Sequence, residues 1–412
     1  MKPNPTDRRK ILVIDFLYPL PETIGRNMRT MNFVRFFREY GSVDLLYFYP
    51  KPDDAGTAGV FRKEFFIRHP SGEGYRENRW HQKIAGRTER LLRKRPWMIT
   101  EWSSRDIETY ISIIRDGGYD LVFCRYILDT VPLFRLPENL RKRVVIDYDD
   151  VFSQSLYGFI AKYDSNPLSR MKDRFQKHLL VNYEKKCLRF GAALFVTRHD
   201  LKNVAGDGGL PNAHVVPNIF PCGIAAGNGL GNGYPKRNRF LFIGTLDYGP
   251  NVEGLKWFVD SVFRKVAGRV ENARLLVVGR APTSEVKALC DSVPDIELHP
   301  DVPDVLPFYR DCGIVVVPIL AGGGTRIKIL EAGMVGRPVL ATPMGANGLD
   351  VTDGKDLFLF TDGSTFLESC NRLNDRNVYD SVAGSMKSLV ENLYSPEAFN
   401  RKMTEVLRSL PS

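Results

Sequence analysis

Residues 321–342 read AGGGTRIKILEAGMVGRPVLAT and concentrate the residue types that bind anions. Gly322, Gly323 and Gly324 let a backbone turn tightly and approach a ligand closely. Thr325 opens a helical pattern that ends near Val335, with Gly336 as its C-terminal cap and Pro338 just beyond. A glycine turn feeding a helix start presents unpaired N–H groups and the positive end of the helix dipole. Arg326 and Lys328 fall in that first turn, where cations are ordinarily unfavourable. A bound phosphate or diphosphate would neutralise them. Glu331, one turn further on, is placed to accept hydrogen bonds from sugar hydroxyls. The competing reading makes Lys328 and Glu331 an i,i+3 surface pair beside glycines that merely fit a turn.

Two further constellations stand near the ends of apolar runs. RVVIDYDD closes on Asp147, Asp149 and Asp150, and Asp147-Tyr148-Asp149 formally matches a D-x-D metal motif. FLYPLPETIGRNMR holds Gly25 ahead of Arg26 and Arg29, either an anion site or an ordinary helix start. The six histidines are scattered, so no zinc site is expected. The six cysteines contain no C-x-x-C pair and read as reduced thiols in a cytosolic protein. No G-x-S-x-G elbow, Walker A loop or G-x-G-x-x-G after a first strand is present, which argues against hydrolase, ATPase and dehydrogenase chemistry.

The elements that would position these residues alternate between short apolar runs and longer amphipathic stretches. Strand-like runs are ILVIDFLYP, VDLLYFYP, LVFCRY, RVVIDYDD, ALFVTR and HVVPN, then FLFIGTL, RLLVVGR, IELHP, GIVVVPIL, PVLAT and DLFLF. Helical patterns include 27–40, 167–190, 251–263 and the stretch after GGGTR. Nearly continuous apolar strands alternating with helices predict parallel sheets covered on both faces. The glycine- and asparagine-rich stretch 221–238 reads as a linker between two such units. The expected fold is therefore α/β, with two Rossmann-like doubly wound parallel-sheet domains facing a cleft. Ligands are expected at the carboxyl ends of the strands. The domains would be 1–220 and 239–395, followed by a helix at 396–412.

The 412 residues, 43% hydrophobic and 26% charged, suit a globular chain of two domains. No apolar run approaches the roughly 18 residues of a membrane span, and no signal peptide is expected. The net charge of +10 is unevenly spread. Residues 1–235 hold 37 basic and 26 acidic side chains, whereas 236–412 hold 21 and 22. An anionic partner is thus expected for the first half. The basic stretch 76–95, RENRWHQKIAGRTERLLRKR, spaces Trp80, Ile84 and Leu91 as an amphipathic helix would. It reads either as a contact with an anionic membrane surface or as a solvated helix. No motif supports nucleic-acid binding.

GGGTRIKILEAGMVGRPVLAT resembles the nucleotide-sugar signature of retaining glycosyltransferase family 4 (glycosyl transferases group 1), which has the B-type two-Rossmann architecture. The resemblance continues through FLFIGTLDYGPNVEGLKWF, ARLLVVGRAP and IELHPDVPDVLPFYRDCGIVVVPIL, and more weakly through the first half. It implies that Glu331 binds the nucleotide ribose. The family's earlier glutamate falls at Gly323, so the E-x7-E motif is degenerate. It further implies that Gly244 and Thr245 approach the donor or acceptor through backbone, and that the loop 299–304, with Val302, frames the base. Diphosphate binding passes to Arg326 and Lys328, with the N–H groups of Gly322, Gly323, Gly324 and Thr325. Gly25 and Arg26 fall on the acceptor side. Asp149 and Asp150 stand where relatives carry a His-Asp pair beside the transferred sugar. The last helix is expected to pack back on the first domain.

The activity so implied is retaining transfer from a nucleotide-diphosphate sugar to a glycan or lipid-linked acceptor, in cell-surface polysaccharide or glycolipid synthesis. No cofactor or metal is required, since two cations and a helix end balance the diphosphate. The expected location is cytoplasmic, peripheral on the inner face of the cytoplasmic membrane. The alternatives are a nucleotide-sugar epimerase or hydrolase on the same fold, or a catalytically silent binding partner.

Overall fold

In the computed structural model, the residues described are 8–22, 25–53, 56, 59–70, 95–154, 167–219, 236–321 and 327–410. The chain divides into two units, Met1–Val216 with Asn400–Ser412, and Pro217–Phe399. The first is built on strands β1 (Arg9–Asp15), β2 (Gly41–Tyr47), β3 (Glu64–Phe66), β4 (Leu121–Arg125), β5 (Val144–Asp147), β6 (Ala192–Phe195) and β7 (Ala213–Val215). They form one sheet in the order β3-β2-β1-β4-β5-β6-β7, parallel throughout. Its principal helices are α1 (Gly25–Tyr40), α2 (Ser104–Gly117), α3 (Pro167–Cys187) and α4 (Arg198–Ala205).

Ile11 to Ile14 are wholly buried, as a strand covered on both faces requires. Alternation along β4 shows how. Val122 and Cys124 join the layer of Tyr110 on α2 and Leu180 on α3. Phe123 points the other way, its ring 4.4 Å from that of Phe33 on α1.

The second unit holds β8 (Lys236–Ile243), α5 (Gly249–Phe258), β9 (Arg274–Gly279), α6 (Ser284–Asp291), β10 (Ile296–Pro300), α7 (Leu306–Asp311) and β11 (Cys312–Val317). There follow α8 (Ile327–Val335), β12 (Val339–Ala341), β13 (Phe358–Leu359), α9 (Gly363–Leu373) and α10 (Arg376–Leu393). The sheet order is β10-β9-β8-β11-β12-β13, again all parallel. Phe240 and Phe242 face a layer with Leu255, Val286 and Phe366. Leu241 and Ile243 face the opposite layer with Tyr309, Leu330 and Met386. In each unit the first strand lies inside the sheet, so the winding direction reverses beside it: between β1 and β4, and between β8 and β11. That is the doubly wound order of a Rossmann sheet.

Strand β8 starts at Lys236, inside the segment read from sequence as linker; residues 221–235 lie outside the described residues. Its polar start is held by specific partners: the Asn238 amide donates to the Glu271 and Asn272 carbonyls, and Arg239 pairs with Asp311 at 2.8 Å. The short β3, absent from the sequence reading, extends the sheet beside β2. The last helix, α11 (Pro396–Ser409), contributes Thr404 to a 3.0 Å hydrogen bond with Tyr40, within the first unit.

Candidate functional site

The carboxyl ends of β8 and β11 flank the reversal point of the second sheet, where ligands of open α/β sheets bind. Three elements bring side chains there. Lys328, in the first turn of α8, places Nζ 3.1 Å from Asn251 Oδ1 and 5.1 Å above the centroid of the Phe242 ring. Asn251, in the first turn of α5, donates through Nδ2 to the Thr245 carbonyl at 2.9 Å. The Gly244–Thr245 backbone is the start of the β8–α5 loop. Gly244 has closed onto its neighbours so far that a Cβ would stand 2.7 Å from Asn251 Nδ2. A Cβ on Gly279, at the end of β9, would stand 1.8 Å from the Gly244 carbonyl oxygen.

Glu331 is half-buried one turn beyond Lys328 and accepts a 2.7 Å hydrogen bond from the Tyr309 hydroxyl. That hydroxyl also lies 3.2 Å from the Lys328 carbonyl, so buried Tyr309 braces the whole first turn of α8. The surface-pair reading of Lys328 and Glu331 is thereby corrected, because both side chains are half-buried and each has a partner from another element. Burial pushes the Glu331 carboxyl above the usual carboxylate range, against the opposing pull of the Tyr309 hydrogen bond and the Lys328 charge. Gly322, Gly323, Gly324, Thr325 and Arg326 lie outside the described residues.

Val302 packs half-buried against the layer of Tyr309 and Leu330. Its loop is tied to the end of β9: Asp301 Oδ1 accepts from the Ala281 N–H at 2.9 Å, and Asp301 N donates to the Gly279 carbonyl at 2.9 Å. Both Ala281 and Asp301 hold positive φ, 52° and 51°. His299 lies against Phe308, ring centroids 4.8 Å apart.

At the equivalent reversal point of the first unit, three adjacent strands end in buried charges: Asp15 on β1, Arg125 on β4 and Asp147 on β5. Arg29 of α1 grips Asp147 with two hydrogen bonds, of 3.0 and 2.6 Å, and Arg125 also binds Asp147. Asp149 accepts from Arg125 at 2.9 Å and from the Tyr126 hydroxyl at 2.7 Å. Arg26 binds Asp15, its guanidinium lying 5.4 Å from the Phe16 ring centroid and 5.2 Å from that of Tyr126. Three arginines therefore face three aspartates. Burial alone would push the Asp149 carboxyl up, but Arg125, Arg29 and the Tyr126 hydrogen bond hold it below its ordinary range. Tyr126 and Asp149 both adopt positive φ, 62° and 25°. Such backbone costs about 1–3 kcal/mol per residue and persists where its surroundings over-determine it.

Arg26 is compensated by Asp15, and the Asp147 and Asp149 carboxylates that suggested a metal motif are engaged by guanidiniums. Gly25 is the exposed first residue of α1. Asp150 is half-buried, and its charge acts on Glu184 of α3. The segment 76–94 lies outside the described residues. Asn251, Tyr309, Asp15, Arg125 and Tyr126 were missed. A signal for two of them was present, since the apolar runs ILVID and LVFCR each end in a charge.

Two doubly wound parallel sheets, one in each unit, make up the α/β fold shared with B-type glycosyltransferases. Residues 237–375 match the family model of the glycosyl transferases group 1. An uncharacterized 44.6 kDa protein in the cps region of Klebsiella pneumoniae is 22% identical over 295 residues, 67% of this chain and 69% of its own. Sucrose-phosphate synthase of Thermosynechococcus elongatus has the same fold, with a TM-score of 0.64 and 16% identity over 98% of this chain and 99% of its own. So does Anabaena HepE, solved with UDP and glucose, with a TM-score of 0.61 and 13% identity over 98% and 100%.

Proposed function

We propose that this protein transfers a sugar, with retention of anomeric configuration, from a nucleoside-diphosphate sugar to a glycan or lipid-linked acceptor in cell-surface polysaccharide synthesis. The observation that carries the reading is the meeting of Lys328, the Gly244–Thr245 backbone and Glu331 at the reversal point of β8 and β11. Lys328, with Arg326 and the N–H groups of Gly323, Gly324 and Thr325, meets the charge that develops on the leaving diphosphate. The Glu331 carboxylate accepts the ribose hydroxyls. The departing phosphate takes the proton of the acceptor hydroxyl as the new glycosidic bond forms on the same face. The Asp149 cluster of the first unit serves the acceptor side. UDP in the HepE structure and the cps-region description of the Klebsiella relative support this direction.

The test is a thermal-shift panel of UDP-, GDP-, ADP- and TDP-sugars, repeated with Arg326→Ala and Glu331→Ala. A ligand of the folded state raises apparent stability by mass action. One nucleotide class should shift the wild type and leave both variants unmoved. Product NMR with a matched acceptor then reports the anomeric configuration. Binding with no turnover on any acceptor would favour a silent partner, and sugar released without an acceptor would favour a hydrolase.

A further inference from the structure

Asn251 is only 8% exposed, and each end of its carboxamide has a protein partner. Its two ends are distinguishable by chemistry alone. An ammonium only donates and a carbonyl only accepts, so Oδ1 must face Lys328 Nζ and Nδ2 must face the Thr245 carbonyl. The two contacts, at 3.1 and 2.9 Å, join the first turn of α8 to the loop that leaves β8. The carboxamide is fixed in turn by the helix that bears it, whose first turn is tied back by the Asn251 N–H to the Tyr248 carbonyl at 2.9 Å. It is also fixed by Gly244, against which it has closed within the space of a missing methyl group.

We propose that Asn251 is a positioning residue of the donor site: it sets the place of the Lys328 ammonium relative to the Gly244–Thr245 backbone. The proposal rests on the donor-site reading given above. A lysine side chain has four rotatable carbons and no intrinsic direction, so a charge that must meet a diphosphate needs an external anchor. A neutral acceptor supplies one without cancelling the charge. Aspartate at this position would accept from Lys328 equally well, but it would neutralise the ammonium and set a carboxylate oxygen against the Thr245 carbonyl. Asn251 thus acts through Lys328, and its contribution should vanish when Lys328 is removed.

The experiment measures the affinity of UDP, GDP, ADP and TDP by calorimetry for wild type, Asn251→Asp, Asn251→Ala, Lys328→Ala and the Asn251→Ala/Lys328→Ala double variant, each with its melting temperature. With the nucleotide that binds, Asn251→Asp is expected to weaken affinity roughly tenfold or more while the protein stays folded. Asn251→Ala, which adds no charge, should change affinity less than twofold in the Lys328→Ala background, because its effect runs through Lys328. In the wild-type background Asn251→Ala, which removes this contact and keeps Lys328 charged, should weaken binding less than Asn251→Asp. An equal loss from Asn251→Ala in both backgrounds overturns the positioning role and leaves the donor site standing. Unchanged affinity in folded Asn251→Asp, with Lys328→Ala weakened, does the same. If Lys328→Ala binds like wild type, or if none of the four nucleotides binds, the donor-site reading falls and the proposal falls with it.

Discussion

Glu331 carries a carboxyl that burial raises and that the Tyr309 hydroxyl and Lys328 charge pull back toward ionisation. The ribose-acceptor role proposed for it requires the ionised form, since a protonated carboxyl loses acceptor capacity. Nucleotide affinity should therefore fall as pH drops, beginning above the ordinary glutamate value of about 4.3. Glu331→Gln removes the titrating group, so the wild-type-to-variant affinity ratio should lose its pH dependence at low pH, where both are neutral. Tyr309→Phe removes a donor that favours the ionised carboxylate, and should move the loss of affinity to higher pH. Calorimetric titrations between pH 5 and 8 would show this ordering; a Tyr309→Phe curve displaced to lower pH contradicts it. At the other reversal point the arithmetic is of stability. Arg125 is wholly buried between Asp147 and Asp149. Arg125→Met leaves those carboxylates short of a cation and should cost about 3–5 kcal/mol in urea unfolding. Adding Asp147→Asn should recover part of that loss.

At the scale of elements, the glycines divide into those that admit a neighbour and those that only turn the chain. Gly279 ends β9 against the Gly244 carbonyl, with no room for a methyl group. Gly279→Ala should push the β8–α5 loop aside and weaken nucleotide binding as well as stability. Gly336, at φ +71° after α8, has open space around it. Gly336→Ala should cost about 1 kcal/mol from backbone conformation while leaving affinity unchanged. Matched melting and binding measurements separate the two, and equal effects on binding would contradict the distinction. These elements were largely legible in the sequence, because buried parallel strands are written as apolar runs such as ILVID and GIVVVPIL. Lys328, Glu331 and Gly336 were singled out from the local glycine-turn and helix pattern, and Gly244 from the family resemblance. The partners of those residues were not. Asn251 and Tyr309 reach the site from 77 and 22 residues away in sequence, by the β8–β11 adjacency that only the sheet order supplies. The Asp15–Arg125–Asp147 cluster likewise depends on three strands lying side by side. Its members looked like ordinary strand ends until that order was known.

The whole molecule has two cores, and a different solution variable acts on each. Glu184 belongs to the first unit, where it is buried and binds the Ser153 N–H and hydroxyl at 3.0 and 2.6 Å. Burial pushes its carboxyl up to about 7, only partly opposed by the Ser153 hydrogen bonds, and the charges of Asp150 and Asp200 push it further up. In the unfolded chain the same group titrates near 4.3. Between those values the folded state binds the extra proton, so stability falls as pH rises. The contribution is complete below about pH 4 and gone above about pH 7, and it amounts to something on the order of 3 kcal/mol. Other groups titrate in the same range, so the informative quantity is the difference from Glu184→Gln, which cannot ionise. Raising pH from 5 to 8 should lower the melting temperature of wild type more than that of the variant. A nucleotide bound at Lys328 and Glu331, as proposed, would touch residues of the second unit and should stabilise that unit alone. Calorimetric scans should resolve two transitions, one moved by pH through Glu184 and the other by nucleotide. A single transition moved by both would mean that the two cores unfold as one cooperative body, and that pH and donor binding are then linked through global stability.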